Sequence, residues 1–506
     1  MKKLLPVALV IVALLAAGCG GAATQAPTAT QAAAPTQAPA PTQAAAPTEA
    51  ATATEAAAPT EAPTAATTAP TSQPAAGATT LNIVCRCVAG GVNANQVKFI
   101  TEYVIPKFQD QMAKEGKSVT VNLVQFGGSD EQLKQQYALD LKVGQGSDVM
   151  AFDGFWVPEF VAGGLLKPLD EVAGPDVPKW EGWSHIPENV QALLSYQGKV
   201  YGIPIGTDAR AIWYRKDIFK QAGLPDNWQP TSWDDLLSAA RTIKQAMPDV
   251  TPIQLDAGTA MGEATTLQGW YMVVTGAGAN VYDFDNNKYI VKGQPILDGL
   301  NFYKMIYIDD KLGDARLQLL KDGRQQSFLE FRDGKIAMLV EGDFFWRSVL
   351  ATGDTKLENR DELVTFAKMP AEKPGMGIRG QDFVTASGGG GYVLNPNTRH
   401  PTEAWELLAF MNSKEALDWL QQLEPRIRSR DDVPVPNDPV MTALAKELLP
   451  ITTIRPADPD YPKVSQAIQL MTEQVVSGEK SPQEAADVYA KSVTDIVGAD
   501  RVEEAQ

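Results

Sequence analysis

A carboxylate and two aromatic side chains lie together in the run Asp153-Gly154-Phe155-Trp156, which follows a predicted strand. Such a group can hold a carbohydrate, because a ring stacks on the C–H face of the sugar while the acid accepts hydrogen bonds from its hydroxyl groups. The alternative is that Phe155 and Trp156 are core residues, and it fits at least one of them. Asp153 and Trp156 are therefore candidate ligand-binding residues.

A second pair of charges, Asp208 and Arg210, lies between two apolar runs at 200–205 and 211–214. Both runs are rich in β-branched and aromatic residues, which predicts two strands. Two interpretations stay open. The segment is either a hairpin with a solvated acid and base, or a crossing between two packed bodies that presents both charges to a ligand.

Three predicted strands, at 81–85, 119–126 and 148–152, alternate with helices in the first part of the chain. This order predicts a parallel sheet, and ligands of such sheets bind beyond the carboxyl ends of the strands. The loops to consider are therefore 86–91, 127–130 and 153–156. They add Arg86, Gly128 and Ser129 to the candidates, and Ser129 with Gln132 also resembles a helix-capping box.

Three motifs occur in a fixed order: YGIP at 201–204, YRKDIF at 214–219 and PTSWDDL at 230–236. This order resembles the family-1 extracellular solute-binding proteins of ABC sugar importers, the group that includes the maltose-binding protein. The resemblance extends from about residue 81 to the end of the chain. It implies the α/β class and a two-lobe, type II periplasmic-binding-protein fold, in which each lobe is a sheet flanked by helices and a multi-segment hinge joins the lobes.

The resemblance also implies lobe boundaries and roles for the first candidates. The N-terminal lobe is expected at 80–207 and 390–428, and the C-terminal lobe at 208–389 and 429–506. In the family, the strand end that here carries Asp153 lines the sugar site. Asp208 occupies the place of a sugar-binding glutamate, and Arg210, which has no counterpart there, is expected to donate hydrogen bonds to sugar hydroxyls.

A further family block reads FRDGKIAM at 331–338, followed by EGDFFW at 341–346. The aromatic residue that stacks on the sugar in the family corresponds to Phe344. Asp343 can bond hydroxyl groups, and Glu341 begins the same run. The alternative, that the three aromatics only pack a lobe, accounts for at least Trp346.

Four glycines at 388–391 match the return crossing of the family, and Gly389 is a candidate there. They lack the lysine and hydroxyl residue of a Walker loop, so they say nothing about phosphate. Arg379 is the last of the candidate ligand-binding residues. An anionic ligand would require more convergent cations than Arg86, Arg210 and Arg379 offer, although Arg426, near an expected third crossing, can join them.

The N-terminus resembles a bacterial lipoprotein signal: two lysines, an apolar run at 4–15, and small residues before Cys19. We expect a signal peptide at 1–18 and lipidation at Cys19. Residues 19–79 are dominated by Ala, Pro, Thr and Gln and are expected to form a disordered tether, because such a composition cannot bury a core. The folded part would then be extracytoplasmic and held at the membrane only through Cys19.

Charge and cysteine content narrow the function classes. The net charge is −17 with no basic stripe, which argues against nucleic acid as a partner. Cys85 and Cys87 are too few ligands for zinc and leave two possibilities, a tight disulfide or two free thiols. No metal, cofactor or catalytic residue is expected.

The expected function is a monomeric receptor that captures a mono- or oligosaccharide and delivers it to the permease subunits of an ABC importer. One alternative is a receptor of the same fold for a non-sugar solute, such as a glycerol phosphate ester or a peptide. A secreted glycoside hydrolase, in which Asp153 and Asp208 face one bond, is a further alternative.

Overall fold

The structure is a computed structural model that describes residues 79–435 and 438–505. The predicted signal peptide, Cys19 and the predicted tether up to residue 78 lie outside these residues. No helix in the described part of the chain is both long enough and apolar enough to cross a membrane.

Seventeen strands occur in the described residues. In chain order they are β1 Thr79–Cys85, β2 Val119–Gln125, β3 Val149–Asp153, β4 Ser195–Tyr196, β5 Lys199–Val200, β6 Gly202–Thr207, β7 Arg210–Arg215, β8 Thr251–Gln254, β9 Tyr282–Asp283, β10 Lys288–Lys292, β11 Ile336–Gly342, β12 Val364–Ala367, β13 Met369–Pro370, β14 Phe383–Ala386, β15 Gly389–Leu394, β16 Thr452–Thr453 and β17 Val502–Glu504.

The α-helices of the same residues range from single turns to sixteen residues. They are α1 Ala94–Lys98, α2 Ile105–Lys114, α3 Asp130–Lys142, α4 Val157–Ala162, α5 Leu169–Ala173, α6 Glu188–Gln191, α7 Lys216–Gln221, α8 Trp233–Ala246, α9 Tyr271–Val274, α10 Gln294–Lys304, α11 Ala315–Gln318, α12 Gly323–Arg332, α13 Arg360–Leu363, α14 Pro401–Met411, α15 Lys414–Leu423, α16 Pro439–Leu448, α17 Tyr461–Val476 and α18 Pro482–Val497.

The first sheet confirms the parallel arrangement predicted from the sequence. Its order is β2-β1-β3-β15-β6, and β1 is parallel to both β2 and β3. β15 is antiparallel to β3 and to β6, so the start of β15 lies at the same edge as the ends of the other four strands. The predicted capping box is also present, since Ser129 and Gln132 exchange hydrogen bonds at the start of α3.

The second sheet has the order β12-β7-β11-β8. β11 is antiparallel to β7 and parallel to β8, which places the start of β7 beside the ends of β11 and β8. Ser232 caps α8, its hydroxyl accepting the N–H of Asp235. We call the regions around the first and second sheets the N-terminal and C-terminal lobes.

Each sheet has an apolar layer on both faces, which is why β6, β7 and β11 are almost wholly buried, whereas the edge strand β2 is partly exposed. One face of the first sheet packs against α2 and α14, and the other against α3 and α4. The second sheet packs against α8, α9 and α17 on one face and against α12 and α16 on the other. The fold is therefore α/β with two lobes, as the resemblance implied.

The chain crosses between the sheets where β6 ends at Thr207 and β7 begins at Arg210. The segment is therefore a crossing between the two sheets and not a hairpin, since β6 and β7 pair with different strands. A return crossing joins β14 to β15, and a third segment lies beside the first, since the Thr207 N–H donates to the carbonyl of Ile427 at 3.1 Å. The residue boundaries of the lobes stay a prediction.

Cys85 and Cys87 form a disulfide, which decides between the two possibilities given for them above.

Candidate ligand-binding cleft

A cavity of about 230 Å³ lies between the two sheet edges described above. The N-terminal lobe contributes Arg86, Asp153 and Trp156, three of the residues proposed from the sequence. The C-terminal lobe contributes Phe344, and Arg426 comes from the third crossing. The cavity is therefore lined by both lobes and by the segment that joins them.

Phe344 supplies the aromatic face of the C-terminal lobe. It follows β11 and immediately precedes a π-helical turn at Phe345–Val349, a local widening of the helix that is common at functional sites. The ring is half-buried, and the Arg324 guanidinium lies 5.4 Å from its centre. Phe344 can thus stack on a ligand ring while a cation holds it from another side.

Trp156 plays two parts. It lines the cavity, but it is only 3 % exposed and its indole meets Phe152 edge-on at 5.2 Å between ring centres. Trp156 is therefore mainly a core residue that also contributes to the wall of the cavity. Phe155 lies against the C-terminal lobe instead, its ring 4.2 Å from the Arg455 guanidinium carbon.

Arg86 and Asp130 line one wall of the cavity, and the candidates Gly128 and Ser129, in the loop after β2, are not lining residues. The Arg86 Nε–H donates to the Gly128 carbonyl at 2.8 Å, and its guanidinium lies 3.4 Å from the Asp130 carboxylate. Ser129 is occupied in capping α3. The backbone of this loop therefore orients Arg86, and Asp130 neutralises it.

Asp153 reaches across the cleft. Its carboxylate accepts a hydrogen bond from Arg455 at 2.9 Å, and Arg455 also donates to Glu263 at 3.2 Å. The Tyr461 and Ser465 hydroxyls donate to Glu263 at 2.7 and 2.5 Å. Asp153 thus links the N-terminal lobe to a polar network of the C-terminal lobe.

Asp208 and Arg210 lie in the first crossing and not in the cavity lining. The Arg210 guanidinium donates to Asp208, and the Gly388 N–H donates to the same carboxylate at 2.6 Å. Burial opposes ionisation of Asp208, but Arg210, Arg426 and the Gly388 amide together lower its pKa. In this structure the pair joins two crossings to each other, and Gly389 follows as the first residue of β15.

Glu341 and Asp343 are also buried, and they flank Gly342, the last residue of β11. Asp343 accepts from Arg347 at 3.0 Å, and Arg347 also donates to Glu424 near the third crossing. Glu341 accepts two hydrogen bonds from Arg324, both at 2.8 Å. Neither acid lines the cavity, so both act by holding the arginines around it.

Asp256, at the end of β8, belongs to the same group as Glu341. Its carboxylate lies 3.5 Å from Arg324. Burial and the neighbouring Glu341 carboxylate raise the pKa of Asp256 to about 8, although Arg324 opposes the shift. Burial and the neighbouring carboxylate therefore both oppose ionisation of Asp256.

Arg379 lies apart from the cavity. Its guanidinium donates to the carbonyls of Ile451 and Thr452, at 3.1 and 3.0 Å.

The sequence did not predict that Arg324, Arg347 and Arg455 take part in the ion pairs around the cavity. No local pattern in the sequence connected Arg455 with Asp153.

Two relatives in sequence are named as binding proteins. A binding protein of Brucella abortus is 26% identical over 290 residues, which is 57% of this chain and 62% of that protein. The multiple sugar-binding protein of Streptococcus mutans is 27% identical over 249 residues, 46% of this chain and 52% of the relative. The chain thus spans less than two thirds of the length of these relatives.

Solved structures share the fold. An ABC transporter solute-binding protein of Thermotoga lettingae bound to α-D-tagatose has a TM-score of 0.68 at 24% identity, covering 83% of this chain and 100% of that chain. The GacH receptor of Streptomyces glaucescens, solved with acarbose, has a TM-score of 0.68 at 22% identity, covering 83% and 99%. At these identities the likeness concerns the fold alone.

The family described as bacterial extracellular solute-binding proteins matches residues 93–418, well over half of the chain. Together with the two-lobe fold and the interlobe cavity, this match shows that the chain belongs to the bacterial extracellular solute-binding proteins.

Proposed function

We propose that the protein captures a carbohydrate outside the cytoplasm and delivers it to the permease subunits of an ABC importer. The observation that carries this proposal is the placement of Phe344 from one lobe opposite Asp153 and Arg86 from the other, around one cavity. An aromatic platform facing polar side chains suits the two kinds of surface on a sugar ring. The sugars named for two relatives in fold, tagatose and acarbose, support the same class.

Capture proceeds by closure of the hinge. A ligand that touches both lobes binds the closed form better than the open form, and it shifts the population by that difference in affinity. A dissociation constant of about 1 μM corresponds to a binding free energy of roughly 8 kcal/mol. Closing the lobes uses only a small part of this free energy. The importer then recognises the closed, loaded receptor.

The proposal is tested by isothermal titration calorimetry against a panel of monosaccharides and short oligosaccharides. We expect at least one sugar to bind with a stoichiometry of one. Failure of every sugar, with binding of a peptide or a glycerol phosphate ester instead, would remove the carbohydrate assignment and favour the non-sugar receptor.

Replacing Phe344 with alanine should lower the affinity for the bound sugar about five- to tenfold, because the stacking platform is lost and contributes roughly 1–1.5 kcal/mol. Calorimetry measures the change. Phe284→Ala is the matched control, since Phe284 is 43% exposed in the turn between β9 and β10. Equal affinity of the Phe344 variant and the wild type would show that the ligand lies elsewhere.

We further propose that lipid on Cys19 holds the receptor at the outer face of the membrane. The signal pattern before Cys19 supports this. Cells producing Cys19→Ala should release the protein into the soluble fraction, whereas the wild type should partition with membranes and into detergent. Membrane retention of the variant would contradict lipid anchoring at this residue.

A further inference from the structure

Seven charged side chains form a continuous cluster where the three crossings meet the cavity. The acids are Asp208, Asp343 and Glu424, and the bases are Arg210, Arg347, Arg426 and Arg428. Six of them are at least nine-tenths buried, and Arg426 is half-buried. With four arginines against three carboxylates, this end of the cleft has one excess positive charge.

Each of the three carboxylates forms its ion pair with an arginine other than Arg426, whose charge acts on Asp208 and Asp343 only from a greater distance. Asp208 pairs with Arg210, whereas Asp343 and Glu424 both pair with Arg347. Arg428 is satisfied by neutral acceptors, the Gln421 side-chain oxygen at 2.6 Å and the Glu424 carbonyl at 2.8 Å.

Arg426 is left without an ion pair among the described residues, and its buried Nε–H has no hydrogen-bond acceptor. Its backbone is fixed, because its N–H donates to Gln421 at 3.1 Å and its carbonyl accepts from Gln421 at 3.0 Å. Its side chain lines the cavity. A cation held in this way and left unpaired costs free energy unless a ligand satisfies it.

The charge of Arg426 acts on the two neighbouring arginines, Arg347 and Arg428. Burial and then the charge of Arg426 lower the pKa of Arg347 to about 10. Burial, Arg426 and Arg347 likewise lower the pKa of Arg428 well below its usual value.

The positive excess is confined to this end of the cleft. Arg86 is neutralised by Asp130, and across the cleft Arg455 faces two carboxylates, Asp153 and Glu263. Phe344 lines the same cavity. A ligand that matches this polarity has an anionic group at Arg426 and neutral hydroxyl groups toward Asp153.

We propose that the bound carbohydrate is an acidic sugar whose single carboxylate, as in a hexuronate, pairs with Arg426. This inference rests on the proposed carbohydrate function and names the class of sugar. A carboxylate carries one negative charge and accepts two parallel hydrogen bonds from a guanidinium. A phosphate monoester carries about −1.5 to −2 at neutral pH, more than the cluster compensates.

The test compares each uronate with its neutral parent by calorimetry: D-glucuronate with D-glucose and D-galacturonate with D-galactose, with sn-glycerol 3-phosphate as a separate arm. At least one uronate should bind tenfold or more tightly than its parent. Raising the salt concentration should weaken uronate binding more than binding of the parent sugar.

Arg426→Gln should lower the uronate affinity at least tenfold and leave the affinity for the parent sugar within about twofold. The variant removes no ion pair, and a thermal melt checks that it folds. Arg241→Gln, which removes an exposed cation of the C-terminal lobe, is the matched control and should bind the uronate like the wild type.

The outcomes separate the two proposals. A neutral sugar that binds as tightly as its uronate overturns the acidic-sugar inference and leaves the carbohydrate function standing. Tighter binding of sn-glycerol 3-phosphate than of any sugar overturns the carboxylate assignment in favour of a phosphate ester. Binding of no compound in this panel overturns the acidic-sugar inference, and the carbohydrate function is then decided by the wider panel of monosaccharides and short oligosaccharides.

Discussion

Replacing Asp208 with alanine is expected to lower the free energy of unfolding by about 3–5 kcal/mol, because it strands a buried guanidinium. Arg210 is only 4% exposed and has Asp208 as its one carboxylate partner among the described residues. The Gly388 N–H would lose its acceptor as well. Both losses occur where two crossings of the hinge touch, so the cost should appear in the stability of the whole protein.

Urea unfolding followed by circular dichroism measures this change. Asp208→Asn keeps an acceptor for the Gly388 N–H and should lose less stability, and Asp285→Ala in an exposed turn should lose less than ~0.5 kcal/mol. An Asp208→Ala protein that unfolds like the wild type but no longer binds ligand would contradict the hinge role and restore Asp208 as a direct sugar contact.

The same ion pair should make the wild type acid-sensitive. Since the folded-state pKa of Asp208 is lowered, its stabilising contribution is complete above the unfolded-state pKa and is lost as the pH falls toward the folded-state value. The difference in stability between the wild type and Asp208→Asn should therefore shrink as the pH falls below about 4.

Replacing Arg455 with methionine is expected to weaken ligand binding about 30-fold, or roughly 2 kcal/mol. The bond from Arg455 to Asp153 joins the two lobes, whereas its bond to Glu263 stays within the C-terminal lobe. Opening of the cleft breaks only the first of these. The substitution therefore removes a contact that favours the closed form and raises the free energy that the ligand must supply.

Calorimetry measures the loss, with a sugar that the panel described under the proposed function shows to bind. Arg501→Met is the matched control, because it removes the pair with Asp458 inside the C-terminal lobe, and its affinity should equal that of the wild type. Unchanged affinity in Arg455→Met would mean that the Asp153 contact does not contribute to closure.

Local patterns in the sequence were sufficient for much of the fold. Hydrophobic alternation and helical spacing predict β1 to β3 and the parallel sheet, and the hydroxyl residue Ser129 caps α3 where expected. The same topology selects the loops that bear Arg86 and Asp153, both of which line the cavity. These features depend on neighbouring residues, which a sequence displays directly.

The partners of the site residues were beyond sequence reasoning for a physical reason. Asp153 and Arg455 are 302 positions apart, and only the packed lobes bring them together. Asp208 and Arg210 are two positions apart, but their pattern does not reveal whether they face a ligand or each other. Burial decides this, and burial depends on how the crossings pack.

Ligand-induced closure of two lobes is the claim on which the rest depends, and a distance measurement across the cleft tests it most directly. Spin labels at the exposed positions Lys142 and Lys321, one in each lobe, report the separation by pulsed electron resonance. Saturation with a bound sugar should shift the distance distribution to a shorter and narrower peak. An identical distribution with and without bound sugar would contradict capture by closure.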